Sequence, residues 1–374
     1  MSTIKRISIV SGLLGATALS PAATAVTLYE TTDARLELSG RIAAYSTFEN
    51  GADNDTDPKN AGSRVRLIHE YNLEDGWSTI ARAEWGFDPF YENGTDAHYK
   101  RLLYAGVSNP DYGTFLIGKQ YSMWYDMVAW WTDYFWINGA TAQGSFNGGG
   151  TSDGALQGLG RPDNAISWRK DWGKWDTGLL YQTSGDDISA PGDFGGISRL
   201  ERQYTFQGAA IYHFTEDFQV GGTWSTSKLE TTRDAGGNGK DIDVNSGLMA
   251  VNWTPGNWYF ALTGGSYHNL VFDGDFQGVE GNNGLIDEAR GYEGVALYNL
   301  LDQTPGTVQL YTGFNRLQDQ DSDARNGFYL AGIAWLLLDD DLILSAEYSL
   351  DDSQNASGDD VGNNDTKLMV RYNF

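Results

Sequence analysis

The chain of 374 residues has no cysteine, only 8 prolines, and half as many basic as acidic residues, 25 against 50. The absence of cysteine excludes a disulfide framework, a thiolate metal site and a cysteine nucleophile. A pI of about 4.3 disfavours nucleic acid as a partner, because phosphate binding needs a basic surface. After residue 25, no run approaches the ~20 apolar residues of a membrane-spanning helix. The abundant residues, 47 Gly, 21 Tyr and 13 Trp, suit many closely packed strands with aromatic ends.

Residues 1–25 have the pattern of a secretory signal peptide. Lys5 and Arg6 form a positive segment, residues 7–19 are mostly apolar, and Ala23-Thr24-Ala25 fits a cleavage site. We therefore predict one mature domain, residues 26–374. Removal of residues 1–25 takes away Lys5 and Arg6 and no acidic residue, so the formal net charge falls from −25 to −27.

The last residues of the chain alternate strictly between two faces. One face is apolar and the other mostly polar: Leu368, Val370, Tyr372 and Phe374 against Lys367, Met369, Arg371 and Asn373. One side suits hydrocarbon and the other suits water, and the strand ends on an aromatic residue. This pattern is typical of a strand in a membrane β-barrel.

Similar alternation recurs in about sixteen segments, including Ala34 to Thr47, Trp77 to Phe87 and, most clearly, Tyr204 to Phe214. Short turns alternate with long loops rich in Gly, Asn and Asp, as they do in outer-membrane barrels. We therefore predict an all-β fold, a 16-stranded antiparallel transmembrane β-barrel. A soluble β-sandwich or propeller is the alternative, but it would not concentrate aromatic residues at the strand ends.

The predicted long loops would all lie at one end of this barrel, opposite the short turns. The longest, called loop 3 below, runs from Tyr121 to Pro162. Gly185 to Leu200 and Lys228 to Lys240 are also predicted to be loops, because turn-forming residues are frequent in both.

Several short motifs occur in a fixed order along the mature chain. They are Leu36-Glu37-Leu38-Ser39-Gly40-Arg41, Arg101-Leu102-Leu103-Tyr104-Ala105-Gly106, Gly113-Thr114-Phe115-Leu116-Ile117-Gly118-Lys119-Gln120-Tyr121, Tyr125-Asp126, Thr132-Asp133, Arg161-Pro162-Asp163-Asn164-Ala165-Ile166-Ser167-Trp168 and the terminal Phe374. This ordered set resembles the trimeric general porins of Gram-negative outer membranes.

The resemblance implies a homotrimer in the bacterial outer membrane, in contact with its lipid and lipopolysaccharide. It also implies that loop 3 is folded into the lumen as a constriction, and that the channel passes ions and small hydrophilic solutes passively. The chain departs from the family in loop 3. The usual Pro-Glu-Phe-Gly-Gly stretch is missing after Thr132-Asp133, and Tyr134 to Gly139 stands in its place.

Strand alternation predicts basic side chains that face the lumen. Those assigned to a basic wall of the constriction are Arg41, Arg66, Arg82 and Arg101, with Arg371 on the same face and Arg64 and Lys100 close by. Asp126 and Asp133 on loop 3 would supply the opposing acidic charge. The alternative for each basic residue is that it is only a solvated side chain of the lumen. Because the mature chain is strongly negative, we predict a preference for cations.

Loop 3 is rich in tryptophan, namely Trp124, Trp130, Trp131 and Trp136. Indole rings can stack on the apolar face of a sugar, so these residues are candidates for solute stacking. The corresponding alternative function is a sugar-selective porin for chito-oligosaccharides, similar to the Vibrio-type chitoporins. The competing interpretation is that Trp130 and Trp131 anchor loop 3 to the wall or lie at a trimer interface.

An outer-membrane barrel enzyme is a more remote alternative, and a plugged structural barrel is another. Gly150-Thr151-Ser152-Asp153-Gly154 matches G-x-S-x-G, but it lies in a Gly-rich loop rather than between a strand and a helix. Asp53 to Asp57 starts like a calcium loop, yet Pro58 and Arg64 stand at positions that need Gly and Glu. We therefore predict no catalytic residues, no metal site and no cofactor.

Overall fold

The computed structural model describes residues 25–49, 56–90, 98–139, 141–145, 157–185, 188–194, 197–233, 238–281, 284–300 and 305–374. Residues 1–24 of the predicted signal peptide lie outside these ranges, so cleavage before Val26 stays a prediction. The G-x-S-x-G match and Asp53 to Asp55 also lie outside them.

Sixteen strands, β1 to β16 in chain order, form a single ring. They are β1 Ala34–Glu49, β2 Arg64–Asn72, β3 Ser78–Phe87, β4 His98–Asn109, β5 Gly113–Lys119, β6 Ala165–Asp171, β7 Trp175–Gln182, β8 Ile197–His213, β9 Phe218–Arg233, β10 Asn238–Trp253, β11 Trp258–His268, β12 Glu288–Leu300, β13 Thr307–Asp319, β14 Arg325–Leu337, β15 Leu342–Asp351 and β16 Asp365–Asn373. Three shorter strands, Val26–Glu30, Lys59–Asn60 and Ile188–Phe194, are attached to this ring.

The ring closes between the first and last strands. Every strand is antiparallel to its neighbour, and β16 pairs with β1 from Asp365↔Glu49 to Asn373↔Arg41. Phe374 extends the seam, because its N–H donates to Gly40 O at 3.0 Å. A closed ring leaves no unpaired sheet edge. The predicted sixteen-stranded antiparallel barrel is confirmed.

The two faces of the wall differ as the alternation predicts. On β16, Leu368, Val370 and Tyr372 are 46–49% exposed and point outward, whereas Met369 and Arg371 are 4% and 9% exposed and point inward. The other strands repeat this contrast, because the side chains of a strand alternate between its faces. The outer surface is therefore apolar, and most of the inward residues are polar or small.

Short turns lie at one end of the ring and most long connections at the other, as predicted. Two predicted loops are wrong. Gly185 to Leu200 contains Ile188–Phe194, which pairs with the start of β8, and Lys228 to Lys240 is largely strand because β9 and β10 continue beyond the barrel wall. Alternate residues in these extensions, such as Leu229 and Ile242, are buried, and their packing outweighs the local turn preferences.

Helical structure among the described residues is limited to short segments. These are Glu74–Gly76, Trp124–Val128, Ala129–Thr132 and Asp273–Asp275. No helix of the described ranges has the length and apolarity that crossing a membrane would require.

The buried apolar cluster lies inside the ring rather than between two sheets. Loop 3, bounded by β5 and β6, contributes Trp124 and Trp131, and the wall contributes inward residues such as Leu248, Ala261 and Val295. Loop 3 is thus packed against part of the inner wall, and the Glu84 group described next lies on β2 to β4.

Candidate functional site: the inner wall and loop 3

A cluster of charged side chains lies on the inner wall of β2 to β4. Glu84 of β3 is 0% exposed, and its carboxylate oxygens lie close to four guanidinium groups. The distances from Glu84 are 2.8 Å to Arg66 Nε, 2.8 Å to Arg101 Nε, 2.9 Å to Arg82 Nη2 and 3.4 Å to Arg64 Nη1. One carboxylate balances only one of these positive charges, so the group remains cationic.

Arg101 reaches Glu84 because of a β-bulge between β3 and β4. Glu84 pairs with Leu102 and Trp85 pairs with Lys100, which leaves Arg101 as the extra residue. A bulge redirects a side chain. Without it, Arg101 would share the outward face of Leu103, which is 48% exposed, whereas Arg101 is 7% exposed. The predicted inward position is observed, but alternation alone does not produce it.

Two further arginines lie beside this group, on β1 and β16. Arg41 Nε donates to Gly62 O at 2.9 Å, and its Nη2 donates to Ala61 O at 3.3 Å. Arg371 Nη2 donates to Trp136 O at 3.3 Å, and the guanidinium carbon lies 4.9 Å from the centroid of the Trp136 ring. Neither Arg41 nor Arg371 forms an ion pair with a carboxylate of the described residues. We call the six residues Arg41, Arg64, Arg66, Arg82, Arg101 and Arg371 the arginine cluster.

Loop 3 fits against the opposite wall because glycines there leave room for it. A Cβ atom built at Gly291 of β12 would lie 1.7 Å from Ala142 O, and one at Gly221 of β9 would lie 2.9 Å from the Trp131 ring. Both glycines are on inward positions of their strands. A side chain at either position would force loop 3 or the strand to shift, most severely at Gly291.

Trp124 and Trp131 are buried between loop 3 and the wall, with 0% and 1% exposure. Trp124 Nε1 donates to Gln143 O at 2.8 Å, and Tyr259 OH of β11 donates to Trp131 O at 2.7 Å. Their rings face protein and not the lumen. The prediction that these two residues stack on solutes is therefore wrong, and they anchor the loop.

Trp130 and Trp136 are only partly buried, although both pack against the apolar cluster. Trp136 Nε1 donates to Gln309 Oε1 at 3.1 Å, which fixes the plane of the ring. Trp130 lies 6.0 Å from Tyr134, measured between ring centroids. These two indoles remain candidates for solute stacking.

Two buried glutamates on the wall hold loop 3 through neutral donors. Glu293 of β12 is 2% exposed and accepts hydrogen bonds from Thr132 Oγ1 at 2.7 Å, Ala142 N at 2.8 Å and Gln143 Nε2 at 3.0 Å. It also accepts a hydrogen bond from the side-chain amide of Asn315. The carboxylate binds a backbone N–H and three side chains but none of the arginines.

Glu347 of β15 has the same role for the segment between Thr132 and Ala142. It is 1% exposed and accepts hydrogen bonds from Ile137 N and Asn138 N, both at 3.0 Å, and from Asn138 Nδ2 at 2.8 Å. Tyr311 OH donates to it at 3.0 Å. The two glutamates therefore fix loop 3 between Thr132 and Gln143.

The two predicted acidic residues of loop 3 lie in different places. Asp126 forms an ion pair with Arg169 of β6 and so does not oppose the arginine cluster. Asp133 accepts a hydrogen bond from Tyr125 OH at 2.6 Å and lies within electrostatic range of Arg41 and Arg64. Desolvation deep in the barrel raises the pKa of Asp133, although the Tyr125 hydrogen bond and the nearby arginines oppose that shift.

Four residues of this site, Glu84, Arg169, Glu293 and Glu347, were not among the residues predicted from the sequence. Alternation contains a signal for three of them, because a glutamate occupies an inward position in each of β3, β12 and β15. A carboxylate at an inward position needs a partner. Which partner it has depends on loop 3 and on strand register. No cluster of three or more potential metal ligands occurs among the described residues.

The chain is similar to known outer-membrane proteins in both sequence and fold. The family model described as Gram-negative porin matches residues 12–374. Outer membrane porin C of Salmonella typhimurium is 23% identical over 337 residues, which cover 86% of this chain and 84% of that relative. The resemblance inferred from the motifs is confirmed.

Solved structures of low sequence identity have the same fold. The Salmonella typhi OmpF complex with daunomycin gives a TM-score of 0.70 at 16% identity, covering 93% of this chain and 100% of that chain. OmpT of Vibrio cholerae in its trimer form gives 0.61 at 15% identity, covering 91% of this chain and 100% of that chain.

Proposed function

The chain belongs to the Gram-negative porin family, and on that premise we propose that it is a passive, water-filled diffusion channel for ions and small hydrophilic solutes across the outer membrane. The observation that carries the proposal is the arginine cluster on the inner face of a closed barrel whose outer face is apolar. Charged groups inside a membrane protein face water or a counter-charge, so a lumen lined in this way holds water.

The proposed constriction lies between the arginine cluster and loop 3. Glu293 and Glu347 hold loop 3 against the opposite wall, and Asp133 on the loop is within electrostatic range of Arg41. Opposed charges across a narrow, wet opening create a transverse field that orders water and polar solutes. Passage would then depend on solute size and charge, without chemistry or a cofactor.

Reconstitution of the purified, folded protein in planar lipid bilayers tests the channel proposal. We expect stepwise current increases in KCl that scale with salt concentration, and liposome swelling with small neutral solutes. A folded barrel that inserts into the bilayer without conducting would overturn the proposal and favour the plugged, structural barrel.

We also propose that the channel assembles as a homotrimer. Support comes from the family and from the trimer form of the Vibrio cholerae OmpT structure, which has the same fold. The mass of the detergent-solubilised protein, measured by native mass spectrometry, should equal three chains. A monomer under all mild detergents would contradict the assembly but not the channel.

The N-terminal boundary of the mature chain stays part of the proposal. N-terminal sequencing of protein extracted from outer membranes should give Val26 as the first residue. Retention of Lys5 and Arg6 in the extracted protein would contradict cleavage.

The ion preference depends on which charged region dominates. The net charge of −27, on which the predicted preference for cations rests, includes acidic side chains at the long-loop end such as Asp351, Asp352 and Asp359. The arginine cluster instead favours anions at the proposed constriction. Reversal potentials in asymmetric KCl decide between them. A preference for cations would mean that the acidic loops set the ion selectivity, and a preference for anions would mean that the constriction sets it.

The sugar-selective alternative now rests on Trp130 and Trp136, because Trp124 and Trp131 are buried. Two half-exposed indoles give one or two stacking positions instead of a continuous track. Single-channel recordings with chito-oligosaccharides test this alternative. Brief, well-resolved blockades by the neutral sugar would support it, and unaltered current at millimolar sugar would remove it.

A further inference from the structure

We propose that the constriction contains a binding position for organic anions in which a carboxylate is attached to a ring, formed by Arg41 and Arg371 together with the aromatic side chains of loop 3. This inference rests on the proposed channel function and goes beyond it by assigning a class of preferred solute. Uronic acids and aromatic carboxylates are both members of this class.

The first support is an excess of positive charge at one place. Glu84 is shared by Arg64, Arg66, Arg82 and Arg101. Arg41 and Arg371 make no ion pair with a described carboxylate, and both are within electrostatic range of Arg64. Glu84 is within electrostatic range of Arg41, and Glu347 and Asp133 are within range of Arg371, so these three carboxylates stand against the six arginines of the cluster. Asp133 is in addition bound by Tyr125. A single bound anion would therefore reduce the repulsion among these arginines.

The second support is the guanidinium group of Arg371. Arg371 is 9% exposed, and its Nη2 donates to Trp136 O at 3.3 Å. A guanidinium group matches a carboxylate geometrically, so the Nη atoms of Arg371 can bind the carboxylate of an incoming solute.

The third support is the aromatic surface beside these arginines. Trp136 lies against Arg371, and its ring plane is fixed by Gln309. Tyr121 and Tyr125, with ring centroids 5.3 Å apart, are partly buried on the same loop. Tyr121 is also within electrostatic range of Arg64 and Arg101. A ring attached to the carboxylate can therefore contact aromatic side chains while its charge is held by the arginines.

Both parts of the solute are needed for the preference. A neutral sugar would contact the aromatic residues but leave the positive charges unmatched. A small anion such as acetate would meet the arginines but gain no contact with the rings. Because a channel must release what it binds, the binding should be weak, with a dissociation constant of about 1 mM.

Single-channel recording of the wild-type protein with matched probes tests the inference without any variant. Glucuronate is compared with glucose to isolate the charge, and benzoate with acetate to isolate the ring. We expect glucuronate and benzoate each to block the current with residence times about tenfold longer than those of its partner, which corresponds to ~1.4 kcal/mol. Equal residence times within both pairs, in a channel of normal KCl conductance, would overturn the inference and leave the channel function intact.

Variants assign the effect to residues. In Arg371→Gln, the residence time of glucuronate should fall close to that of glucose. In Trp136→Leu, the residence time of benzoate should fall close to that of acetate, while glucuronate should keep part of its advantage over glucose. Arg316→Gln is the matched control, because Arg316 lies on an outward position of β13 and pairs with Asp352. If Arg316→Gln changed the probe difference as much as Arg371→Gln, the assigned position would be wrong. Absence of any KCl conductance in the wild type would instead overturn the proposed function itself.

Discussion

Glu84 and Glu347 lie on the same inner wall, are 0% and 1% exposed, and have entirely different partners. Glu84 binds four arginines from the wall itself. Glu347 binds a hydroxyl, a side-chain amide and two backbone N–H groups, and three of these four donors belong to loop 3. The same side chain thus gathers positive charge at one place and holds a loop at another.

The contrast shows how one barrel can hold a loop firmly and still keep a concentration of positive charge on its wall. The bonds to Glu347 and Glu293 place loop 3 without introducing additional positive charge on that side of the lumen. The bonds to Glu84 hold several like charges together, which would otherwise repel one another. In the proposed channel, Glu84 therefore holds together arginines that act on charged solutes, and Glu347 and Glu293 hold the loop that sets the width of the opening.

Replacement of Glu84 should have the largest effect. Glu84→Gln keeps the size of the side chain but leaves four arginines without their counter-charge, so we expect a loss of about 3–5 kcal/mol in the free energy of unfolding. Urea titration of the protein folded into lipid vesicles measures this loss. Glu201→Gln is the control, because Glu201 is 39% exposed and lies 3.9 Å from Arg199, and it should change stability by less than about 1 kcal/mol. Similar losses of stability for both variants would show that the contacts of Glu84 with the four arginines do not stabilise the barrel more than an exposed ion pair does.

Replacement of Glu347 should have a smaller effect on stability and a larger effect on the loop. Glu347→Gln breaks no ion pair, but it takes a negative charge from the vicinity of Arg371 and weakens charge-assisted hydrogen bonds, so we expect a loss of about 1.5–3 kcal/mol. Single-channel current should become noisier, because the segment at Ile137 and Asn138 is less firmly held.

Ser349→Ala serves as the neighbouring control for this measurement. It removes only the hydrogen bond from Asn138 Nδ2, which is 3.2 Å long, and should leave the current noise unchanged. If the current noise of Glu347→Gln equalled that of the wild type, the assigned role of Glu347 as an anchor of loop 3 would be refuted.

The charge of Asp133 should make selectivity depend on pH. Because desolvation raises the pKa of this carboxyl, it becomes neutral at a higher pH than an ordinary aspartate, whose pKa is about 3.9. Lowering the pH removes a negative charge facing the arginine cluster, so the reversal potential should shift toward anions. Asp133→Asn should lack this shift and resemble the acidified wild type at neutral pH. If the reversal potentials of the wild type and of Asp133→Asn changed equally with pH, other residues would be responsible for the titration.

The smallest expected effect belongs to Tyr125. Tyr125→Phe removes the 2.6 Å hydrogen bond to Asp133, which is worth about 1.5–3 kcal/mol when the acceptor is charged and is offset in part by water in the lumen. Since that bond lowers the pKa of Asp133, its loss should move the midpoint of the selectivity change to higher pH. An unchanged midpoint in the reversal-potential titration would mean that the hydroxyl does not act on Asp133.

Several features were predictable because they are local. Alternation assigned the faces of β16 and the inward positions of Arg41, Arg66 and Arg82 correctly, since side-chain direction in a strand depends only on parity. The ordered motifs gave the family and the outer-membrane location, and the match over residues 12–374 confirms both, together with a channel instead of an enzyme. Arg101 shows the limit, because one bulged residue reverses the parity of everything beyond it.

The sequence alone determined a closed barrel with an apolar outside, a polar inside and basic residues along part of its wall. Only the tertiary structure decided which charges meet, that Trp124 and Trp131 are anchors, and that Asp126 pairs with Arg169. The physical reason is sequence separation: alternation is set by adjacent residues, whereas the bond between Ile137 and Glu347 joins positions 210 residues apart. Such contacts exist only after all sixteen strands have taken their register and the ring has closed around loop 3.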